Sequence, residues 1–229
     1  MATHPELIVR RLGLRDYLPT WQAMRAFTDN RTIDTPDELW LLEHPAVFTQ
    51  GLNGKAAHLR DAGNIPVIQV DRGGQITYHG PGQLVVYLLL DLQRRGWGVR
   101  QLVTAMEQAV INLLGEYGIL GAARRDAPGV YVNGAKIAAL GLRVKHGKCY
   151  HGLSLNVAMD LAPFQRINPC GYADMPVTQL ADLAGPSDLD QVAARLTMRL
   201  GQQLGYTITN IESRREHPRG HKKRVHPTR

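Results

Sequence analysis

The chain carries two thiols, Cys149 and Cys170, and their settings differ. Cys170 falls in Asn168-Pro169-Cys170-Gly171-Tyr172, a turn-like context that a substrate can reach. Cys149 opens a strand-like run, the usual place of a small buried apolar group. Two cysteines are too few for a cysteine-based zinc site and fit a reducing compartment without a structural disulfide. A nucleophilic cysteine has to be a thiolate. Free cysteine titrates near pH ~8.5, so about 3% is ionised at pH 7, and a neighbouring cation that lowers the value to ~6.5 raises this to roughly three quarters. Lys136 is one candidate for that cation: it follows Asn133-Gly134 and opens the apolar run 137–144, where a partly buried amine exchanges protons near neutrality. His79 and His151 are its rivals. The plain alternatives are a strand-start lysine facing water and histidines that only hold hydrogen bonds.

Residues 72–83, RGGQITYHGPGQ, are the stretch around which these groups must be arranged. Glycines at 73, 74, 80 and 82 allow positive φ or close backbone approach, and Pro81 fixes the bend between two of them. Residues 75–78 between the pairs read as a short strand. Two nucleotide motifs fail here. Gly80-Pro81-Gly82 lacks the third glycine of a dinucleotide fingerprint and leads into a strand-like run, and no Lys-Ser or Lys-Thr pair closes a phosphate loop.

The elements that position these residues follow from periodicity. A strand at 7–12 precedes a helix over 17–27, where Leu18, Trp21, Met24 and Phe27 lie near helical spacing. Strands are expected at 38–43 and 46–49, parted by His44-Pro45, then a polar loop at 51–64 and a strand at 65–70 delivering the glycine-rich stretch. Residues 84–92 are nearly all apolar, as in a strand covered on both faces. The clearest helix spans 99–117, its apolar stripe including Leu102, Met106, Val110 and Leu113, and Gly118 ends it. Three strands follow at 129–132, 136–144 and 149–157, with Asn133-Gly134 as a hairpin signal and His146-Gly147-Lys148 as the second turn. A loop at 163–176, a helix at 189–204 and a strand at 206–211 complete an α/β fold of the α+β type. It has a mixed, largely antiparallel sheet with helices on one face.

At 229 residues and 44% hydrophobic, the chain can bury one sizeable core, and residues 1–213 are expected to form one domain. The net charge of +7 is misleading until located. Residues 214–229 hold seven Lys or Arg against Glu216, a net +6, which leaves +1 for the rest. That tail has no apolar periodicity and is expected to be disordered, not a nucleic-acid surface. The run 84–90 is too short to span a bilayer, and MATHPELIVRR lacks the cationic-then-apolar layout of a signal peptide. A cytoplasmic protein with no membrane partner is expected.

Four segments taken together, RGGQITYHGPGQLVVYLLLDL, GVYVNGAKIAALGLRV, CYHGLSLNV and INPCGYADMPVTQL, resemble the signatures of the lipoyl(octanoyl) transferase family of the lipoate-protein ligase B type. The likeness runs from about residue 44 to 183. It implies the fold of the biotin and lipoate protein ligase catalytic domains. It also implies transfer of an octanoyl (or lipoyl) group from the phosphopantetheine of acyl carrier protein to a lysine on lipoyl domains of 2-oxoacid dehydrogenase complexes and on the glycine-cleavage H protein. By the same resemblance the nucleophile falls on Cys170 and the lysine that lowers its pKa on Lys136. Substrate contacts fall on Arg72, Gly73, Gly74, Gln75, Ile76, Thr77, Tyr78 and His79, on Ala139, Leu140 and Gly141, and on Gly152, Leu153 and Ser154. No metal and no ATP are expected, and a monomer is expected. Acyl carrier proteins and lipoyl domains are generally acidic, so Arg72, Arg143, Lys145 and Lys148 are expected to steer them. Two rival readings remain at this level. One is an ATP-dependent lipoate or biotin ligase on the same scaffold, and the other is a nucleic-acid-binding module using the basic tail.

Overall fold

The computed structural model describes residues 5–168 and 175–211. Its order is β1 (Glu6–Leu14), α1 (Tyr17–Asn30), β2 (Asp37–Glu43), β3 (Val47–Gln50), β4 (Val67–Gln69), β5 (Ile76–His79), β6 (Gln83–Asp91), α2 (Leu92–Arg95) and α3 (Val99–Glu116). Then come β7 (Ala122–Ala123), β8 (Gly129–Val132), β9 (Ala135–Lys145), β10 (Lys148–Asn156), α4 (Leu189–Leu204) and β11 (Thr207–Ile211). An eight-stranded sheet runs β11-β1-β2-β6-β10-β9-β8-β7, and a three-stranded sheet runs β4-β3-β5. The fold is mixed α/β as the periodicity indicates. Pairing in the large sheet is antiparallel except where β1 meets β2 and β11. Parallel neighbours need a crossover, and α1 supplies it between β1 and β2.

The expectation of helices on one face is corrected. All nine residues of β6 are buried, and its alternation divides two cores. Leu84, Val86, Leu88 and Leu90 pack in the cluster that holds Leu102, Met106 and Leu113 of α3 and Leu196 and Leu200 of α4. Val85, Tyr87 and Leu89 face the other way, toward Met24 of α1. Each fully buried aliphatic of this kind contributes about 1.5–3 kcal/mol, so a strand apolar on both sides demands a layer on both. The run 84–92 carries that demand, but nothing in its pattern says that α1 meets it.

Local chemistry sets the turns. Asn133 (φ 49°) and Gly134 (φ 83°) take the two positive-φ positions of a type I′ hairpin between β8 and β9, and His146 (φ 49°) and Gly147 (φ 74°) repeat the device between β9 and β10. The carboxylate of Asp188 accepts from the N–H groups of Asp190 and Gln191 and so starts α4, while Gly205 at φ 66° ends it. Two elements escape periodicity: the single-turn α2, begun where Asp91 accepts from Arg94 N, and the two-residue edge strand β7. Among the described residues no helix is long and apolar enough to cross a membrane.

Candidate functional site

A cleft lies between the α1-side face of β6, β10 and β9 and the glycine-rich segment. Arg72, Gly74, Gln75, Ile76, Thr77 and His79 line it from the segment; Lys136, Ala139, Leu140 and Gly141 line it from β9; and Gly152, Leu153 and Ser154 line it from β10. The register explains how separate stretches meet. Gly152 lies opposite Gly141 on one side and Tyr87 on the other, and Ser154 lies opposite Ala139 and Val85. Two expected contact residues stand outside the lining. Gly73 binds the sheet through its N–H, which donates to Leu142 O at 2.9 Å. Tyr78 packs with Phe48, Ile76 and Phe164 in the small sheet's own apolar cluster. Cys170 lies outside the described residues, as does the basic tail.

The glycines of the segment act in different ways. Gly74 (φ 88°) and Gly82 (φ 83°) hold left-handed backbone, and a Cβ on Gly82 would come 2.0 Å from Ala158 O. Arg72 locks the result. It is buried, its Nη1 donates to Gly73 O (3.0 Å) and Gln75 O (2.9 Å), and its Nη2 donates to Thr49 O (2.6 Å) and Thr49 Oγ1 (2.8 Å). The steering role expected of Arg72 is thereby corrected, because a guanidinium turned inward onto loop carbonyls presents no charge to an approaching protein. Lys145 pairs with Asp29 at 2.7 Å and Lys148 donates to Arg31 O at 3.1 Å.

Lys136 is 4% exposed, so it is not a strand-start lysine facing water. Its Nζ donates to Pro128 O at 3.4 Å and lies 5.2 Å from the Tyr131 ring centroid. Its backbone is clamped: the N–H donates to Pro176 O (2.8 Å), and the carbonyl accepts from Thr178 N (3.0 Å). A buried side-chain relay backs that clamp. Gln83 Nε2 donates to Asn156 Oδ1 (2.9 Å), and Asn156 Nδ2 donates to Thr178 O (3.0 Å). With its amide so committed, Gln83 turns Oε1 to His79 Nδ1 at 2.7 Å, which assigns the ring proton to Nδ1.

The histidines are held neutral. Burial, with the nearby His44, takes His79 down to about 3 against an opposing bond to Gln83, and burial takes His44 down to about 4. Burial also lowers His151, opposed by the bond from its Nε2 to Asp71 Oδ1 at 3.1 Å. Burial alone would raise Asp71. Hydrogen bonds from His151, Tyr150 and Trp21 outweigh it and hold the carboxyl below the usual carboxylate range. His151 also sits at φ 64° within β10, a conformation costing about 1–3 kcal/mol in a non-glycine residue. Neither rival imidazole therefore carries a standing positive charge at pH 7. Cys149, fully buried with Sγ 3.4 Å from Leu88 O, is pushed by burial up to about 12 and is inert.

These shifts give a stability prediction. Below pH ~6.5 the unfolded chain protonates His44 and His79, while the folded chain does not until about pH 4 and 3. Their stabilisation is thus complete above pH ~6.5 and is lost as pH falls, by up to ~1.4 kcal/mol per pH unit for each. Thermal melting followed from pH 7 to 4.5 should show Tm dropping through that window, and more gently for His44→Gln. A level Tm would refute the assignment.

Sequence reading missed Tyr17, Gln83, Val85, Tyr87, Asn156, Phe164 and Val177 in the cleft wall. The available signal was a tyrosine inside the aliphatic run of β6 and polar amides at the ends of β6 and β10.

Residues 16–201 match the family described as lipoyl protein ligase A/B catalytic domain. The chain is 63% identical over 197 residues, 86% of its length and 92% of the relative's, to an octanoyltransferase of Pseudomonas putida (strain W619). Among solved structures, a bipartite lipoate protein ligase studied with its E2 lipoyl domain, from Thermoplasma acidophilum, superposes with TM-score 0.70 at 15% identity over 93% of this chain and 89% of that one. A biotin protein ligase of Aquifex aeolicus in complex with biotin and ATP gives TM-score 0.56 at 14% identity over 86% and 69%. The structural likenesses show the shared fold.

Proposed function

Because the chain belongs to the lipoyl protein ligase A/B catalytic-domain family and, within it, to the octanoyltransferases, we propose that it moves an octanoyl group from acyl carrier protein to a lysine of a lipoyl domain. The chain is an acyltransferase, and the proposal concerns its route. The thiolate of Cys170 attacks the thioester carbonyl of the octanoyl-phosphopantetheine donor, forming a new C–S bond and expelling the pantetheine thiolate, which takes up a proton. The acceptor amine then attacks the acyl-cysteine; a C–N bond forms, Cys170 leaves as thiolate, and the ammonium proton passes to a base. Lys136 takes the thiol proton in the first half, returns it to the leaving pantetheine thiolate, and takes the amine proton in the second. The thioester already carries the activation, so ATP has no part.

The observation that carries this reading is the placement of Lys136. It is buried at one end of a small-residue cleft, with its backbone bonded to Pro176 and Thr178, directly after Cys170's own segment in sequence. The cleft favours an unbranched apolar chain, since the short side chains of Ala139 and Ser154 stand in its lining. Seven methylene-sized groups buried there at ~0.8 kcal/mol each supply roughly 5 kcal/mol of binding. The test is intact-mass spectrometry without ATP. Octanoyl-carrier protein should add one octanoyl mass to the enzyme, and a lipoyl domain should then remove it and gain it. Transfer that requires ATP and passes through no adduct would instead favour a ligase mechanism.

A further inference from the structure

Lys136 sits where β9 changes partners. β10 pairs with β9 only as far as Leu155 opposite Ala138, and the pairing of β8 with β9 shifts register between Val130 and Tyr131, which leaves Ile137 as the extra residue of a bulge. Bulges re-aim the side chains beside them. Val177 takes β10's place: it forms a parallel bridge with Lys136, closed by Lys136 N–H to Pro176 O (2.8 Å) and Thr178 N–H to Lys136 O (3.0 Å). The strip 176–181, which follows the Cys170 turn in sequence, therefore fixes the lysine's backbone on that side. Asn156, the last residue of β10, is the branch point. Its carbonyl accepts from Leu180 N (3.1 Å), its Nδ2 donates to Thr178 O (3.0 Å), and its Oδ1 accepts from Gln83 Nε2 (2.9 Å). Gln83 Oε1 in turn accepts from His79 Nδ1 (2.7 Å), and all three residues are buried.

We propose that this head-to-tail chain, from His79 through Gln83 and Asn156 to the carbonyl of Thr178, is the tether that holds the strip beyond Cys170 in register with Lys136, which makes Gln83 and Asn156 positioning residues for the transfer reaction. The inference rests on the acyl-transfer reading above and adds how the lysine is kept at its station. Backbone carbonyls set the direction of the chain. A carbonyl can only accept, so Asn156 turns its amide nitrogen to Thr178 O and Gln83 turns its own to Tyr78 O at 3.3 Å. The side-chain oxygens are left to accept, that of Asn156 from Gln83 and that of Gln83 from His79, whose ring is then protonated at Nδ1. Reversing one link sets a buried donor against a donor or an acceptor against an acceptor, so the links hold or fail together. Leucine at 83 or 156 has about the size of the amide and none of its hydrogen bonds. Both cuts fall on one line to the same carbonyl, so making both costs little more than making one.

The test uses the full chain carrying Gln83→Leu, Asn156→Leu or both. Amide hydrogen exchange read by mass spectrometry should quicken about tenfold or more in the peptide covering 176–181, with α3 unchanged as the measure of an intact fold. In single-turnover acylation by octanoyl-carrier protein, the limiting rate should fall about 10²-fold in each single variant, the scale of an ångström's misplacement, with the half-saturating donor concentration within about threefold of wild type. The double variant should lose about the same 10²-fold, where independent effects would give about 10⁴. A merely structural pair would loosen the strip and leave the limiting rate alone. That result overturns the tether, and so do losses that multiply or exchange that does not change. If leucine disturbs α3 as well, the wild type decides: nitrogen NMR of His79 at pH 7 should show a neutral ring protonated at Nδ1, and a ring protonated at Nε2 overturns the chain. Should the wild type form no acyl-enzyme, the covalent route falls, while exchange and NMR still read the tether and the rate losses are read in overall transfer.

Discussion

Cys170→Ala is expected to form no acyl-enzyme and to lose transfer activity by ~10⁴-fold or more, as when a covalent nucleophile is removed from a group that acts as a unit. No other cysteine can take over. Cys149 is fully buried with its thiol pushed up to about 12, so at pH 7 it stays protonated, and no donor reaches it. The readout is intact mass after incubation with octanoyl-carrier protein, where the variant should keep its starting mass while still binding octanoate. Loss of the adduct with binding intact separates removal of the sulfur from collapse of the cleft. An octanoyl mass persisting on Cys170→Ala would place the nucleophile elsewhere.

The elements that deliver the site were largely readable because their physics is local. Asn133-Gly134 can hardly be anything but a positive-φ turn, and the helix at 189–204 is bounded by its own cap, Asp188, and its own stop, Gly205. What was not readable is what depends on the partner. A period-2 pattern says that Tyr87 and Val85 share a face, but a face on a cavity and a face on a core look alike in sequence. Arg72 looked like a surface charge because the groups that bury it, the carbonyls of Thr49, Gly73 and Gln75, are backbone atoms and leave no trace in residue type. Gln83 and Asn156 were invisible for a related reason. Each is an ordinary strand-end amide until the fold makes them neighbours 73 positions apart.

Lys136 offers the sharper test, because two opposing effects decide what is seen when it is replaced. With a cation nearby, a thiol near pH ~6.5 is about three quarters ionised at pH 7; without it, near ~8.5, about 3% is, a 25-fold loss of thiolate. Nucleophilicity moves the other way. With a Brønsted slope of ~0.4–0.5, the more basic thiolate is roughly 8-fold more reactive, so the alkylation rate at pH 7 falls only about threefold. A single-pH assay would read that as no effect. The expected result for Lys136→Met is therefore a displaced profile, the iodoacetamide rate at Cys170 rising with a midpoint about 2 units higher and a plateau several-fold above wild type. Methionine keeps an apolar stem against Tyr131 and Gly129, so packing changes less than with alanine. Transfer should fall much further than alkylation, by ~10²–10⁴, because the same amine is asked to carry protons in both halves of the reaction. A midpoint that stays put while transfer collapses would leave Lys136 the proton carrier but not the group that ionises the thiol. With His79 and His151 held neutral, neither imidazole would take over that role.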